Sequence, residues 1–345
     1  MGQISKYVVS ILTAISCLLS PAAVPGIMEA WSGDTITFVL ENDQFANRIS
    51  DKYYTQGGKI TWLSSCPPDK TGSFQQYFFH ILDRTLPADA RASRFTSFSL
   101  GQMIFTPDEL KQSGLDGEER PYAGFSFFSA AVHRAGAGKL DTLEIVVGLA
   151  GRHSYAEDVQ KVFHQWFNSS EPQGWHHQLH DEPVLNISLD RKWKLIRMGA
   201  SGPGFDFIPR AGLSVGNALT EAGAGAQVRL GWNLPDDYGT YLIMFGSESN
   251  VPEKTQTAAA RTNCGIHVLA GVNGRAVLRN IFLDGNTFRD SHSVDKRHFV
   301  ADVVWGIVFQ IKKVKLSYLY AYRTKEYKSQ SLSHSFGSVS IAFSW

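Results

Sequence analysis

The chain has 345 residues, enough for one large domain or two ordinary ones, and a formal net charge of +1 at pH 7. A charge this close to neutral gives no global attraction to nucleic acid, so we expect no nucleic-acid partner. Only 19% of the residues are charged, while 12% are aromatic and 31 are glycine. This composition suits many extended strands and tight turns.

Residues 1–30 are predicted to be a signal peptide. Lys6 is followed by an apolar stretch, YVVSILTAISCLLS, and then by small residues, PAAVPG. A positive start, a short apolar core and small residues are typical of secretory signals, so we expect cleavage between Ala22 and Ala30. Lipidation of Cys17 is not expected, because the stretch TAISC lacks the leucine three residues earlier that lipoprotein signals prefer.

The mature chain, residues 31–345, is predicted to form one domain. We find no run of about 18 apolar residues in it, so we expect no membrane-spanning helix. Its two cysteines, Cys66 and Cys264, lie on distant segments and are predicted to be free thiols. An exported chain of this kind is periplasmic, secreted or an outer-membrane barrel.

Most of the mature chain alternates with a period of two, as strands with two different faces do. In the final segment, Val339, Ile341, Phe343 and Trp345 share one face, and small residues occupy the other. Together with the signal peptide, the glycines and the aromatic faces, this favours an all-β fold, a transmembrane antiparallel β-barrel. A soluble periplasmic β-domain is the alternative.

Fourteen segments have the character of strands. Because single-chain bacterial barrels use even strand numbers, we expect twelve or fourteen strands, and 94–105 and 239–246 are the weakest candidates. The segments are 34–41, 54–64, 94–105, 121–133, 141–151, 183–194, 204–217, 222–233, 239–246, 264–273, 275–285, 297–311, 313–324 and 334–345.

The long polar connections are predicted to share one end of the barrel. If strands alternate in direction, the connections 106–120, 152–182, 286–296 and 325–333 fall at the same end as the loop from Glu41 to Asp51. Long loops of outer-membrane barrels face the outside, so we expect this end to be extracellular.

One segment departs from the strand pattern and predicts a short helix in an extracellular loop. Ser154 and Glu157 have the spacing of a capping box. Val159, Phe163 and Trp166 recur at helical spacing and form one apolar stripe.

Two polar residues of this predicted helix are candidates for catalysis. Gln160 and His164 are four positions apart, so both project from the same face. Histidine can act as a general base near neutral pH, and Gln160 is a candidate partner that would orient its ring. A loop histidine with a local hydrogen bond is the alternative.

The end of the first predicted strand carries oxygen donors. Glu41, Asn42 and Asp43 supply carboxylates and an amide, which are ligands that Ca²⁺ accepts. If the alternation continues, Glu41 and Asp43 point into the barrel, and Asn42 points to the same side as Leu40. A solvated loop is the alternative.

No serine nucleophile stands out. The Gly-x-Ser-x-Gly pattern at residues 212–216 falls inside the predicted strand 204–217 rather than at a strand-to-helix turn, so it is not a nucleophile elbow. This favours hydrolysis by water, activated by a histidine and a metal, over an acyl-enzyme route.

Several ordered motifs resemble the lipid A 3′-O-deacylase family of Gram-negative outer membranes. The resemblance covers about residues 34–345. The motifs are LENDQF, DKYYTQGGKITW, GQMIFTP, RPYAGF, VQKVFHQWF, EPQGWHHQLHDEP, PRAGLSVGN, LGWNLPDDYG and NIFLDGNTFRDSHSVDK.

This resemblance implies a twelve-stranded barrel with an active site near the outer rim, between the barrel wall and a helix of an external loop. It implies Ca²⁺-dependent hydrolysis of the 3′-linked acyloxyacyl ester of lipid A. The family's site residues fall on Asn42, Asp43, Thr55, Gln160 and His164. Lipid A or lipopolysaccharide would be the substrate, within the lipids of the outer membrane. A closed barrel with a rim site is expected to act as a monomer.

Other members of the implied site are open. The family's basic site residue falls on either Arg120 or Lys59, and Glu171 is a candidate further acidic ligand for the metal. Candidate contacts for the substrate's phosphates and sugars are Lys296, Arg297 and Arg289. Two other functions compete with this one: a non-catalytic barrel acting as a porin or scaffold, and an outer-membrane phospholipase, which would need a serine paired with a histidine.

Overall fold

The computed structural model describes residues 34–46, 52–66, 72–87, 92–108, 116–167, 172–199, 201–253 and 264–345. The predicted signal peptide and Glu171 lie outside these residues. The strands are β1 (Thr35–Asn42), β2 (Tyr53–Ser65), β3 (Ser93–Thr106), β4 (Ala123–Gly136), β5 (Lys139–Ala150), β6 (Glu182–Trp193), β7 (Ile196–Met198), β8 (Pro203–Gly216), β9 (Leu219–Trp232), β10 (Cys264–Asn280), β11 (Phe299–Ile311), β12 (Val314–Arg323) and β13 (His334–Ser344).

These strands form a closed antiparallel barrel of twelve strands with one short extra strand. Apart from β7, each strand pairs with its neighbours along the chain. Pairing of β13 with β1 and of β6 with β8 closes the ring. The three-residue β7 also pairs with β8 and continues the line of β6. The predicted transmembrane barrel is therefore confirmed, with twelve strands rather than fourteen.

Two predicted strands account for the difference. The segment 239–246 is not a strand. The segments 264–273 and 275–285 are one strand, β10, followed by a short helix. The predicted break fell at Gly274, the second residue of an Asn-Gly dipeptide, which often forms hairpin turns. Here Asn273 instead stays in the strand, and its side chain accepts a hydrogen bond from Arg210 at 2.7 Å.

Three α-helices lie in the described part of the chain: α1 (Ser73–Thr85), α2 (Ala156–Phe167) and α3 (Ile281–Asp284). The predicted helix is confirmed as α2, but the prediction of a single helix is wrong. Among the described residues, no helix combines the length and the apolar character that crossing a bilayer requires. The prediction of a capping box is also wrong. The hydroxyl of Ser154 does not accept from the first turn of the helix but donates to the carbonyl of Gly151 at 2.6 Å.

The two faces of the barrel differ as the alternation predicts. Outward side chains such as Leu100, Leu230 and Trp305 are apolar and exposed. Inward side chains include the buried ions Lys59 and Arg229. An apolar outer face and a polar inner face are the requirements of a barrel in lipid. Cys66 and Cys264 are free thiols, as predicted.

The predicted long connections do share one end, which we call the loop end. Strands β1, β3, β5, β10 and β12 all finish there, and it is the extracellular end if long loops face outward. The opposite end, the terminal end, is where the backbone of Trp345 bonds to Asp34 at 3.1 Å. Helix α2 lies at the loop end and helix α1 at the terminal end.

Residues 237–251, which we call the plug, leave β9 at the terminal end and fill the barrel interior. Leu242 and Ile243 are buried in one apolar cluster with inward residues of the wall. Lys59 of β2 forms an ion pair with Glu248 of the plug at 2.8 Å. The predicted strand 239–246 falls within this plug, whose backbone bonds to side chains of the wall rather than to a neighbouring strand.

Candidate functional site

A line of residues crosses the outer face of β1 to β4 near the loop end. The strand registers place Asn42 opposite Gln56, Gln56 opposite Ile104, and Ile104 opposite Gly124. We call these four residues the outward row. Asn42, Gln56 and Ile104 are buried although they lie on the lipid-facing side of the wall. Polar groups on that side are costly in lipid, so other parts of the chain must cover them.

Helix α2 covers part of the outward row. A Cβ atom added to Gly124 would lie 2.2 Å from the Cβ of Ala156, so only glycine allows α2 this close to β4. Ile104 of β3 packs in one cluster with Ala156 and Val159 of the helix. The helix therefore begins over β4 and runs onto β3.

The residues just before α2 fasten it to the wall. The carbonyl of Ser154 accepts hydrogen bonds from the Gln102 amide and the Ser126 hydroxyl, both at 2.7 Å. Gln102 and Ser126 lie on the outer faces of β3 and β4. These anchors were not predicted, because they join three distant segments.

Gln160 and His164 lie on the covered side of α2. Both are buried, and they follow Ala156 at intervals of four positions, so all three share one face. Gln160 accepts a hydrogen bond from the indole nitrogen of Trp175 at 2.8 Å. From Ala156 to His164 the helix rises about 12 Å, close to the roughly 14 Å that separates β4 from β1. A helix that continues in the direction from β4 to β3 would bring its later turns toward Gln56 and Asn42.

Asn42 and Asp43 form an ordered corner where β1 ends. The side chain of Asn42 accepts from the backbone N–H of Gln44 at 2.8 Å. The Asp43 carboxylate, 0% exposed, accepts from the backbone N–H of Lys52 at 2.7 Å. Both residues are buried, so the solvated-loop alternative is wrong for them.

Thr55 occupies a bulge in β2. The register of β2 with β3 shifts between Tyr54 and Gln56, which leaves Thr55 as the extra residue. Its hydroxyl bonds to that of Thr106 at 2.7 Å. Because Thr106 alternates to the same side as Ile104, Thr55 belongs to the outer face, next to the outward row.

Neither candidate for the basic site residue lies on the outer face. Lys59 points into the barrel and pairs with Glu248 of the plug. Arg120 is buried at the loop end, where its guanidinium pairs with Glu326 at 3.2 Å and stacks over the Phe105 ring. Burial alone would lower the pKa of Arg120, and Glu326 opposes that effect. Both cations are therefore engaged in buried ion pairs away from the outer face.

The candidate contacts for phosphates lie at the loop end. Lys296 forms an ion pair with Asp284 at 2.7 Å, while Arg289 and Arg297 are exposed. The structure does not bring them to the outward row.

Within the described residues, no group of three or more His, Cys, Asp or Glu side chains is close enough to hold a metal. The predicted ligands present are the Asp43 carboxylate and the Asn42 amide, with the Thr55 hydroxyl nearby on the outer face. All three offer oxygen atoms, which suits Ca²⁺. Ca²⁺ binds six to eight oxygens, so backbone carbonyls, water or substrate would have to complete the shell.

A family model described as "Outer membrane protein LpxR" matches residues 9–345. The chain belongs to the LpxR family. This membership and the barrel fold make it an integral protein of the outer membrane. No curated protein sequence gives a match.

One solved structure shows the same fold. LpxR from Salmonella typhimurium is 17% identical and superposes with a TM-score of 0.71, covering 90% of this chain and 100% of that one. The beta domain of the Bordetella autotransporter Brka is 8% identical, with a TM-score of 0.43 and coverage of 91% of this chain and 99% of that one. The first of these supports the twelve-stranded LpxR-type barrel.

Two residues that support this site were missed in the sequence. Trp175, which bonds to Gln160, lies inside the motif EPQGWHHQLHDEP but carried no predicted role. Tyr54 precedes Thr55 and donates to Glu41 inside the barrel at 2.8 Å. Glu41 does point inward, as the alternation predicts, and is 0% exposed.

Proposed function

We propose that this chain is a lipid A 3′-O-deacylase, which hydrolyses the 3′-linked acyloxyacyl ester of lipid A. The observation that carries the proposal is the position of buried His164 and Gln160 on the wall-facing side of α2. In the proposed site they would face the polar residues on the lipid-facing surface of the membrane barrel. A substrate whose ester lies in the membrane would reach such a site from the side.

In this mechanism His164 is the general base. One ring nitrogen takes a proton from water, and the water oxygen attacks the ester carbonyl carbon. The bond between the carbonyl carbon and the sugar oxygen then breaks, and the proton passes to that oxygen. Gln160, held by the Trp175 indole, positions the base or the water. Burial under α2 keeps bulk water away from the reacting groups.

Asp43 and Asn42 would hold Ca²⁺, with Thr55 as a further oxygen donor and Glu171 as a candidate ligand outside the described residues. Their fixed oxygens at the end of β1 suit a hard cation. Bound Ca²⁺ would supply Lewis-acid stabilisation of the negative charge that develops on the carbonyl oxygen.

The interior of the barrel argues against the two competing functions. The plug occupies the lumen, which does not suit a porin. Ser97 and His133 do form a hydrogen bond at 2.8 Å, as a serine phospholipase would need. Both are buried on the inward face, where His133 also bonds to Thr142, so a membrane lipid would not reach the serine.

The test is mass spectrometry of lipid A from cells that express the chain. We expect loss of one acyloxyacyl mass, abolished by His164→Ala and by calcium chelation. The matched control is His80→Ala, because His80 is exposed on helix α1 at the other end of the barrel. An unchanged spectrum from correctly folded, surface-exposed wild-type protein would contradict the proposal.

A further inference from the structure

A pocket opens beside helix α2 at the loop end. It has a volume of about 560 Å³ and lies between the first turns of α2 and the segment 172–181. Gly151, which precedes this region, follows directly after the last residue of β5, so the pocket stands beyond the end of the strands. It is therefore placed at the level of lipid headgroups rather than of acyl chains.

The charges around this pocket leave one cation uncommitted. Lys161 pairs with Glu157 at 2.7 Å. Asp181 is bound by the backbone and the ring of His153, and these bonds hold its pKa below the usual value although partial burial opposes them. Arg152 is exposed and lines the pocket, and within the described part of the chain no carboxylate forms an ion pair with it.

The remaining lining suits a polar, sugar-like ligand. Gln173 and Gln178 contribute amides, and His176 and His180 contribute exposed imidazoles. Amides can donate to and accept from hydroxyl groups, and an arginine guanidinium can bind a phosphate through two parallel hydrogen bonds.

Trp175 joins this pocket to the candidate active site. Trp175 lines the pocket, and its indole N–H donates to Gln160 on the covered side of α2. Trp175 is only 2% exposed and packs against Tyr122, so it has little freedom to move. A ligand in the pocket would therefore contact the same residue that fixes Gln160.

We propose that this pocket binds the phosphorylated sugar headgroup of the substrate, with Arg152 as the phosphate ligand and Trp175 as a positioning residue. This inference rests on the proposed function, because it assigns the headgroup of the same substrate whose ester lies under α2. The pocket selects a phosphorylated sugar, and the outward row receives the ester.

Steady-state kinetics of the purified full chain in detergent test the inference. The substrates are lipid A with and without a phosphate on the sugar that carries the 3′-linked ester. For Arg152→Ala we expect KM to rise about tenfold or more on the phosphorylated substrate, with kcat unchanged. A change of this size corresponds to the loss of one charge-assisted hydrogen bond. On the dephosphorylated substrate the variant and the wild type should be equal.

Two further variants sharpen the result. Lys328→Ala is the matched control, because Lys328 is an exposed cation of the loop end that does not line this pocket. Trp175→Phe keeps an aromatic ring but removes the N–H, so we expect kcat to fall while KM stays near the wild-type value. An Arg152→Ala variant with unchanged KM, or with the same rise on both substrates, would overturn the inference.

A binding measurement separates this inference from the proposed function. Calorimetric titration with glucosamine phosphate needs no turnover, and we expect binding by the wild type, weaker binding by Arg152→Ala and no binding of glucosamine itself. Hydrolysis without this binding would overturn the headgroup pocket alone. Binding without hydrolysis of any lipid A would overturn the proposed function and leave the pocket as a phosphosugar site.

Discussion

The carboxylate of Glu41 accepts a hydrogen bond from the backbone N–H of Ile243 at 2.8 Å. The contact joins the end of β1 to the plug inside the barrel. The other carboxylate oxygen accepts from the Tyr54 hydroxyl, also at 2.8 Å. Glu41 precedes Asn42, and Tyr54 precedes Thr55, so one buried carboxylate ties together the two strand ends that carry candidate site residues.

Substitution of Glu41 tests whether the plug supports the site from within. Glu41→Ala leaves the Ile243 N–H and the Tyr54 hydroxyl without their acceptor, so we expect the free energy of unfolding to fall by about 1–3 kcal/mol. Deacylation should fall roughly 10–100-fold, because small displacements of catalytic groups are costly. Thermal unfolding and lipid A mass spectrometry measure the two effects.

Glu41→Gln keeps an acceptor for one of the two donors and should recover part of both losses. Glu118→Ala is the control, because Glu118 is an exposed carboxylate at the same end of the barrel. Full activity in a destabilised Glu41→Ala protein would mean that Glu41 serves stability alone.

Substitution of Gly124 tests the docking of α2. Gly124→Ala places a methyl group against Ala156 and Ser154, so we expect the helix to move away from β4 and activity to fall, at a cost of about 1–3 kcal/mol for overpacking. The barrel itself should still form, since the strand pairing of β4 does not depend on α2. Circular dichroism reports the barrel and mass spectrometry the activity.

Gly58→Ala is the matched control, because Gly58 also lies on the outer face and a Cβ there has no heavy atom within 4 Å. Equal activity of the two alanine variants would show that close packing of α2 is unnecessary for catalysis.

The ion pair between Lys59 and Glu248 is expected to hold the plug against the barrel wall. Lys59→Met leaves buried Glu248 without its ion-pair partner, so we expect a loss of roughly 3–5 kcal/mol in the free energy of unfolding. Lys59→Met combined with Glu248→Gln removes both charges and should recover most of that loss. Chemical denaturation of Lys59→Met, Glu248→Gln and the double variant measures the coupling.

Planar-bilayer conductance checks the same feature in another way. The wild type should show no steady ion conductance, because the plug fills the lumen. An open, ohmic channel in the wild type would contradict the conclusion that the plug blocks the lumen.

The ionisation of Asp237, the first residue of the plug, sets the pH range over which its ion pairs with Lys315 and Arg229 hold the plug to the wall. Burial opposes its ionisation, but Lys315 and Arg229 hold the pKa of Asp237 well below its usual range. A carboxylate with a lowered pKa stabilises the fold at every pH above its unfolded value, about 3.9, and the stabilisation is lost as pH falls through the folded pKa.

We therefore expect Asp237→Asn to be clearly less stable than the wild type at pH 7 and pH 5. The difference between the two should shrink below about pH 4, as the unfolded carboxyl becomes protonated. Thermal unfolding across this range measures it. A difference that stays constant down to pH 2.5 would mean that the Asp237 charge does not anchor the plug.

The period-two pattern of the sequence determined the barrel and the direction of each strand's faces. Glu41 points inward and Leu100 outward because neighbouring side chains of a strand must alternate, whatever the strand pairs with. The spacing of Gln160 and His164 likewise placed both on one side of α2, because that relation is local to a helix.

Only the tertiary structure decided what these faces meet. The outward row depends on the registers of four strands, and the place of α2 over it depends on Gly124, far along the chain from Asn42. The plug was mistaken for a strand because its apolar residues, such as Leu242 and Ile243, look the same in sequence whether a neighbouring strand or a barrel interior buries them. Local patterns record which side chains avoid water, whereas the partners that bury them come from segments that the pattern does not connect.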